Sequence, residues 1–343
     1  MRFDVNELTL GSALELAREN SSSFVTFDPS YSSKIEIAQL FDVLYLPSLL
    51  LHGQSLQTIK GRVVPIEANF YWYVVDFIKQ KFATDRNVMY DSEFETDEFL
   101  EDVCILGNIF SRNFTHWHEE LMKVLIIERS GIACRYALSG LPDFATELLM
   151  FLGINRNRIL EIDRPCVFRS ALFTTPINYS NVADFPEIFF ALRDAINQID
   201  VSPEPSFSRR LWLHRGEQTR LGRSLVNTDE VFRCLERYSL QIVDIGALPL
   251  RTQISVAQNV DVMCGLHGSH FVHSQLMKER SKIIECFSPL YLNPTYTDIY
   301  RILRHRYFQI SSTNTPVFPY SHGTDVEVDC AQLELALQEA CEF

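Results

Sequence analysis

Apolar positions fall in short runs that alternate with stretches of helical spacing, most regularly in the C-terminal part of the chain. Leu211-Trp-Leu213 predicts a buried strand within 210–214. Asn227-Thr-Asp-Glu230 then sets a capping residue ahead of a Glu at the third helical position, and Val231, Cys234, Leu235 and Tyr238 continue at helical spacing. Further strands are expected over 241–245, 261–264 and 282–287, and further helices over 251–258, 271–277 and 297–304. Alternation of this length predicts a parallel, doubly wound sheet.

The same rhythm runs through 102–176. Strands are expected over 103–106, 133–138 and 167–174, and helices over 116–129 and 144–152, the latter closing at Gly153. A helix over 185–199 joins the two halves, and a Pro/Ser-rich stretch at 201–208 reads as a linker. Earlier residues are less regular, with strands at 43–46 and 62–66. The run from Asp91 to Asp102 holds seven acids and reads as a solvated loop. The pattern predicts two Rossmann-like domains, 1–200 and 201–343, facing each other across an interdomain cleft that is the default ligand site.

Composition narrows the ligand. The 343 residues are 46% hydrophobic and carry a net charge of -13, which excludes a uniformly basic nucleic-acid binder. Between residues 201 and 311, however, 14 Lys/Arg stand against 10 Asp/Glu, a local net of +4. A positive segment in an acidic chain suits a small polyanion. The eight cysteines never approach C-x-x-C spacing, which argues against a zinc ribbon or a thioredoxin-like motif. Asp4 and Glu7 stand where a signal peptide needs basic and then apolar residues. The uncharged, largely apolar stretch 43–59 is broken by Pro47, His52 and Gly53, so no transmembrane segment is expected there. The expectation is a cytoplasmic protein.

Chemistry concentrates at Asp261-Val-Met-Cys-Gly265-Leu-His267-Gly268-Ser269-His270, where a strand runs into a glycine-bearing turn that opens a helix. Glycines admit close backbone approach, free N–H groups at a helix start suit an anion, and His267 adds a donor for a phosphate oxygen. The plainer alternative is a tight strand-to-helix turn that happens to contain His.

Asp-Val-x-x-Gly-x-His-Gly, followed by Ile283-Ile284-Glu285, resembles the C-terminal motif of glycosyltransferase family 61, to which the EGF-domain O-GlcNAc transferase and plant xylan transferases belong. Two more segments resemble that family in order and spacing. They are His214-Arg215 with Arg223-Ser-Leu-Val-Asn227-Thr-Asp-Glu230, and Asn113-Phe-Thr-His116-Trp117 opening a helix. The resemblance runs from Val103 to Ile310. It departs from the family pattern at Ser269 and His270, where small residues are usual, at Thr228, where Glu is usual, and at His214, where Ser is usual before Arg215.

The resemblance implies a GT-B-like fold, inversion at the anomeric carbon, and a nucleotide-sugar donor, UDP-linked, held by the C-terminal half. Loss of a nucleoside diphosphate needs its charge neutralised, which suits Arg215, Arg223 and the turn at Gly265, His267, Gly268 and Ser269, with Asn227 beside them. Glu285, at a strand end, is placed to bond ribose hydroxyls. The plainer alternatives are a surface salt bridge for each Arg and an exposed carboxylate for Glu285.

His116 and Glu120 lie four apart on one helix face, so a carboxylate beside an imidazole supplies a candidate general base. The alternative is a helix-start His packed beside Trp117 with Glu120 in an ordinary pair. No cofactor and no metal are expected: His116 and His118 project from different faces, and no His-Glu-x-x-His occurs. The leading reading is an inverting glycosyltransferase acting on a glycan or other hydroxyl acceptor. A nucleotide-sugar epimerase and a catalytically degenerate binding module are the alternatives.

Overall fold

The computed structural model describes residues 24–26, 35–46, 56–59, 62–65, 97–107, 114–138, 143–162, 166–175, 177–179, 181–201, 206–215, 224–288, 292–312 and 325–342. The chain divides into two units, the first Met1–Asn178 with Glu187–Leu192, the second Tyr179–Pro186 with Arg193–Phe343.

The first unit holds β1 (Phe24–Thr26), β2 (Glu36–Leu46), β3 (Leu56–Ile59), β4 (Arg62–Pro65), β5 (Asp97–Ile105), α1 (Phe114–Ser130), β6 (Arg135–Leu138), α2 (Asp143–Phe151), β7 (Ile159–Glu161) and β8 (Cys166–Thr174). These strands form one sheet in the order β4-β3-β2-β8-β5-β6-β7, with β1 on β2. Neighbours from β8 through β5 and β6 to β7 pair in parallel, whereas β2 joins β8 antiparallel. The parallel strands are apolar on both faces, as burial beneath helices requires: Val103, Cys104, Tyr136, Ala137, Ala171 and Leu172 are all buried.

The acidic run departs from expectation. Its second half is strand rather than loop, because β5 begins at Asp97. Phe99 pairs with Phe168 on β8, and a one-residue bulge between Phe99 and Asp102 re-aims the chain before the apolar Val103–Ile105 end. Asp102 is tolerated there because its carboxylate accepts hydrogen bonds from Ser170 and, at 3.3 Å, from Gln39. Residues 91–96 of that run, and 202–205 of the expected linker, lie outside the described residues.

In the second unit, following α3 (Pro186–Asn197), whose residues both units share, come β9 (Arg210–Leu213), α4 (Thr228–Arg237), β10 (Gln241–Val243), α5 (Leu250–Asn259), β11 (Val262–Leu266), β12 (Lys282–Phe287), α6 (Thr297–Ile302), β13 (Arg306–Ser311) and α7 (Cys330–Cys341). All five strands are parallel, in the order β10-β9-β11-β12-β13. Numbered by sequence this is 2-1-3-4-5, a doubly wound Rossmann-like sheet. On one face Trp212, Cys264, Ile284 and Ile310 pack with Val231 and Leu235 of α4 and Leu333 and Leu337 of α7. By alternation Leu213, Gly265 and Glu285 point to the opposite face.

Candidate functional site

In a doubly wound sheet ligands bind outside the carboxyl ends of the strands where strand order reverses. Here the chain runs from β9 outward to β10 and returns to β11, so the reversal lies between β9 and β11. The residues following those two strand ends are His214 and Arg215, and His267 and Gly268.

Backbone approach explains both glycines. A Cβ at Gly265 would stand 2.8 Å from the Leu213 carbonyl oxygen, closer than real Cβ atoms come, so β11 can lie against β9 only with glycine there. At Gly268 a Cβ would stand 3.2 Å from His270 Cε1 and 3.4 Å from Arg215 Cζ. The guanidinium and the second imidazole therefore sit over the turn. Arg215 is tied down by Nη1, which donates to the His267 carbonyl at 3.1 Å.

The segment after the turn is a 3-10 helix, Ser269–Leu276, and not the expected α-helix over 271–277. Side chains take carbonyls that an α-helix would keep for itself. His273 bonds the His270 carbonyl at 2.8 Å, His305 that of Ser274 at 3.1 Å, and Arg193 donates to Gln275 at 2.9 Å and Met277 at 3.0 Å. Partly exposed Ser269 opens this segment. The environment is dry: burial pushes His273 and His305 down to about 4. Burial, and then the Arg215 guanidinium, hold His270 well below the imidazole range, and its buried Nε2 has no hydrogen-bond partner.

His267 is 7% exposed and pairs through Nδ1 with Glu285 Oε1 at 2.6 Å. A carboxylate acceptor fixes Nδ1 as the protonated nitrogen, which leaves Nε2 as the nitrogen that can act on a ligand. The ring is stacked on Phe287, centroids 4.7 Å apart. Glu285 was expected to face ribose hydroxyls. It is instead 1% exposed, and its second oxygen accepts from the Tyr300 hydroxyl at 3.1 Å.

The family model described as Glycosyltransferase 61 matches residues 114–284, about half of the chain. The chain belongs to glycosyltransferase family 61. No curated protein matches it. As a family 61 glycosyltransferase it is an enzyme that works on a sugar donor and an acceptor. Its matched span opens on the first residue of α1 and closes one residue before Glu285, taking in Arg215 and the whole turn.

Of the remaining expected site residues of this transferase, His116, Glu120 and Asn227 lie among the described residues. His116 lies on α1, but its Nδ1 pairs with Glu119 Oε2 at 2.7 Å, not with Glu120. The fully buried Glu120 accepts from Lys123 Nζ at 2.9 Å. An i,i+3 neighbour reaches the imidazole, whereas Glu120 belongs to the buried side with Trp117. Asn227 precedes α4 without capping it by its side chain. Its amide instead mimics a strand partner, with Nδ2 donating to the Val328 carbonyl at 2.9 Å and Oδ1 accepting from the Val328 N–H at 2.9 Å. Arg223 lies outside the described residues. Tyr300 was missed, because a Tyr inside a short amphipathic segment carries no sequence signal that separates it from core.

The eight cysteines are free thiols. Among the described residues no helix is long and apolar enough to cross a membrane, and no group of three or more His, Cys, Asp or Glu could hold a metal ion.

Proposed function

We propose that this glycosyltransferase moves a sugar from a UDP-linked donor to a hydroxyl of a glycan or other acceptor, with inversion at the anomeric carbon. The observation that carries the reading is the Arg215 guanidinium bonded to the His267 carbonyl over Gly268, at the reversal of strand order. In the transfer the bond from the anomeric carbon to the diphosphate oxygen breaks and its electron pair leaves with the nucleotide. The acceptor oxygen bonds the opposite face of that carbon, and its proton goes to a base. Arg215 and His267 supply cationic and N–H groups where charge develops, with the Ser269 hydroxyl after the turn, and Arg223 is proposed as a further phosphate ligand. The proposal calls on no divalent metal.

His116 is proposed as the base, with Glu119 in the orienting role first expected of Glu120. The organisation proposed is of GT-B type, the donor held by the C-terminal unit and the acceptor by the N-terminal one, in the cytoplasm. A binding module without turnover is the second reading, favoured by His270, whose ring stands with Arg215 over the Gly268 turn. A thermal-shift screen of nucleotide sugars tests the main proposal, since a ligand that binds only the folded chain raises its apparent stability. UDP and a UDP-sugar are expected to raise the midpoint; a flat response across nucleoside diphosphates contradicts it. Transfer to an acceptor panel separates an enzyme from a module that only binds.

A further inference from the structure

Glu285 faces inward, so the nucleotide-sugar reading leaves it without a task. Two donors converge on its carboxylate, His267 through Nδ1 and the Tyr300 hydroxyl, and the Tyr307 phenol of the neighbouring strand β13 stands close by. Burial, and then the Glu285 charge, push both phenols upward, so both stay protonated and Tyr300 donates. A carboxylate taken out of water is costly unless donors and a counter-charge meet it, and an imidazole at 2.6 Å can become that counter-charge.

The titratable and charged groups facing the pair come from every element packed on it: Tyr300 from α6, Tyr307 from β13, Arg215 after β9, His270 from the 3-10 segment, and Tyr296. Arg215 opposes a charge on His267, but its guanidinium acts through the backbone carbonyl, whereas Glu285 touches the ring directly. Phe287, stacked at 22°, keeps the ring from turning its nitrogens.

We infer that Glu285 is a positioning residue: resting on the nucleotide-sugar reading, it holds His267 doubly protonated, so that Nε2–H donates to the departing diphosphate. When the bond to the anomeric carbon breaks, the electron pair goes to the diphosphate oxygen. The imidazolium hydrogen-bonds that oxygen and keeps its proton.

The test is calorimetric titration of the full chain with UDP from about pH 5.5 to about 8.5, across the ordinary imidazole range. It is run on the wild type, Glu285→Gln and Glu285→Asp, together with nitrogen-15 spectra of the wild-type His267 ring. The expected result is a doubly protonated ring near neutral pH and an affinity that falls as pH rises. Glu285→Gln should move that fall to lower pH and weaken binding about tenfold at neutral pH, the scale of one charge-assisted hydrogen bond, with Glu285→Asp restoring most of it. UDP binding that is unchanged in strength and pH midpoint in Glu285→Gln overturns the inference and leaves the nucleotide reading standing. So does a wild-type ring that is neutral near pH 7, a result that needs no variant to fold. A wild type that binds neither UDP nor another nucleoside diphosphate overturns the nucleotide reading and this inference with it.

Discussion

Gly265 and Leu213 face each other across β11 and β9 so closely that a Cβ on residue 265 would lie 2.8 Å from the Leu213 carbonyl oxygen. The obstacle is backbone in a fully buried strand, so it cannot swing aside as a side chain would. Gly265→Ala should therefore cost about 1–3 kcal/mol or more, the usual range for forcing extra volume into a packed core. Denaturant unfolding checks this; a midpoint equal to wild type means that the sheet can open there without penalty.

At Gly268 the neighbours are instead the ends of two side chains, Arg215 and His270. Gly268→Ala is expected to leave stability within about 1 kcal/mol of wild type, because those ends can shift. Nucleotide affinity should fall, because the shift displaces the guanidinium. Loss of stability without loss of affinity would reverse the roles assigned to the two glycines.

His267 and Arg215 should differ sharply on truncation. Arg215→Ala removes a partly exposed cation and should leave the fold intact. His267→Ala leaves the Glu285 carboxylate buried with Tyr300 but without its imidazole partner, and breaking a buried pair from one side costs about 3–5 kcal/mol. Paired unfolding measurements on the two variants check the contrast. Equal stability of both would mean that the Glu285 site is wetter than the structure shows.

Acid should weaken the turn region. His270, His273 and His305 are all held neutral in the folded chain, with pKa values pushed below the ordinary imidazole value. The unfolded chain takes up their protons near pH 6.5, about where free imidazole titrates. For His273 and His305 that contribution is therefore complete above that pH and lost as pH falls toward about 4; the His270 contribution is lost in the same direction. Each such proton steepens the decline by roughly 1.4 kcal/mol per pH unit. Denaturant midpoints measured from pH 7.5 downward should fall faster in wild type than in His273→Gln or His305→Gln. Parallel curves would contradict this.

The general-base proposal rests on His116. His116→Ala should lower turnover by about a hundredfold to ten-thousandfold while nucleotide binding survives. Glu119→Gln should reduce turnover less, and Glu120→Gln should lower stability instead, because Glu120 is buried against Lys123. Steady-state rates with a competent acceptor, beside unfolding curves, separate the three. Near-normal turnover in His116→Ala moves the base elsewhere.

Much of the second unit was legible in the chain. Apolar runs such as Leu211-Trp-Leu213 and Ile283-Ile284 are buried on both faces, so composition alone marks them as parallel strands. The acidic β5 was hidden because its start is held by pairing with β8 and its Asp102 by Ser170 and Gln39, partners distant in sequence. The 3-10 form of Ser269–Leu276 was equally hidden, since Arg193 and His305 reach its carbonyls from elsewhere in the chain. At the site, the turn and Arg215 could be picked out by residue type. The inward orientation of Glu285 could not, because both its partners depend on how β12, β13 and α6 pack.

The central claim is that Arg215 and the His267–Gly268 turn bind the diphosphate of a nucleotide-sugar donor. Calorimetric titration of the full chain with UDP, wild type against Arg215→Ala, tests it most directly. The account predicts saturable binding by the wild type and weakening of about tenfold or more in Arg215→Ala, the worth of a charge-assisted contact, at unchanged thermal stability. UDP binding of equal strength in both proteins would contradict it.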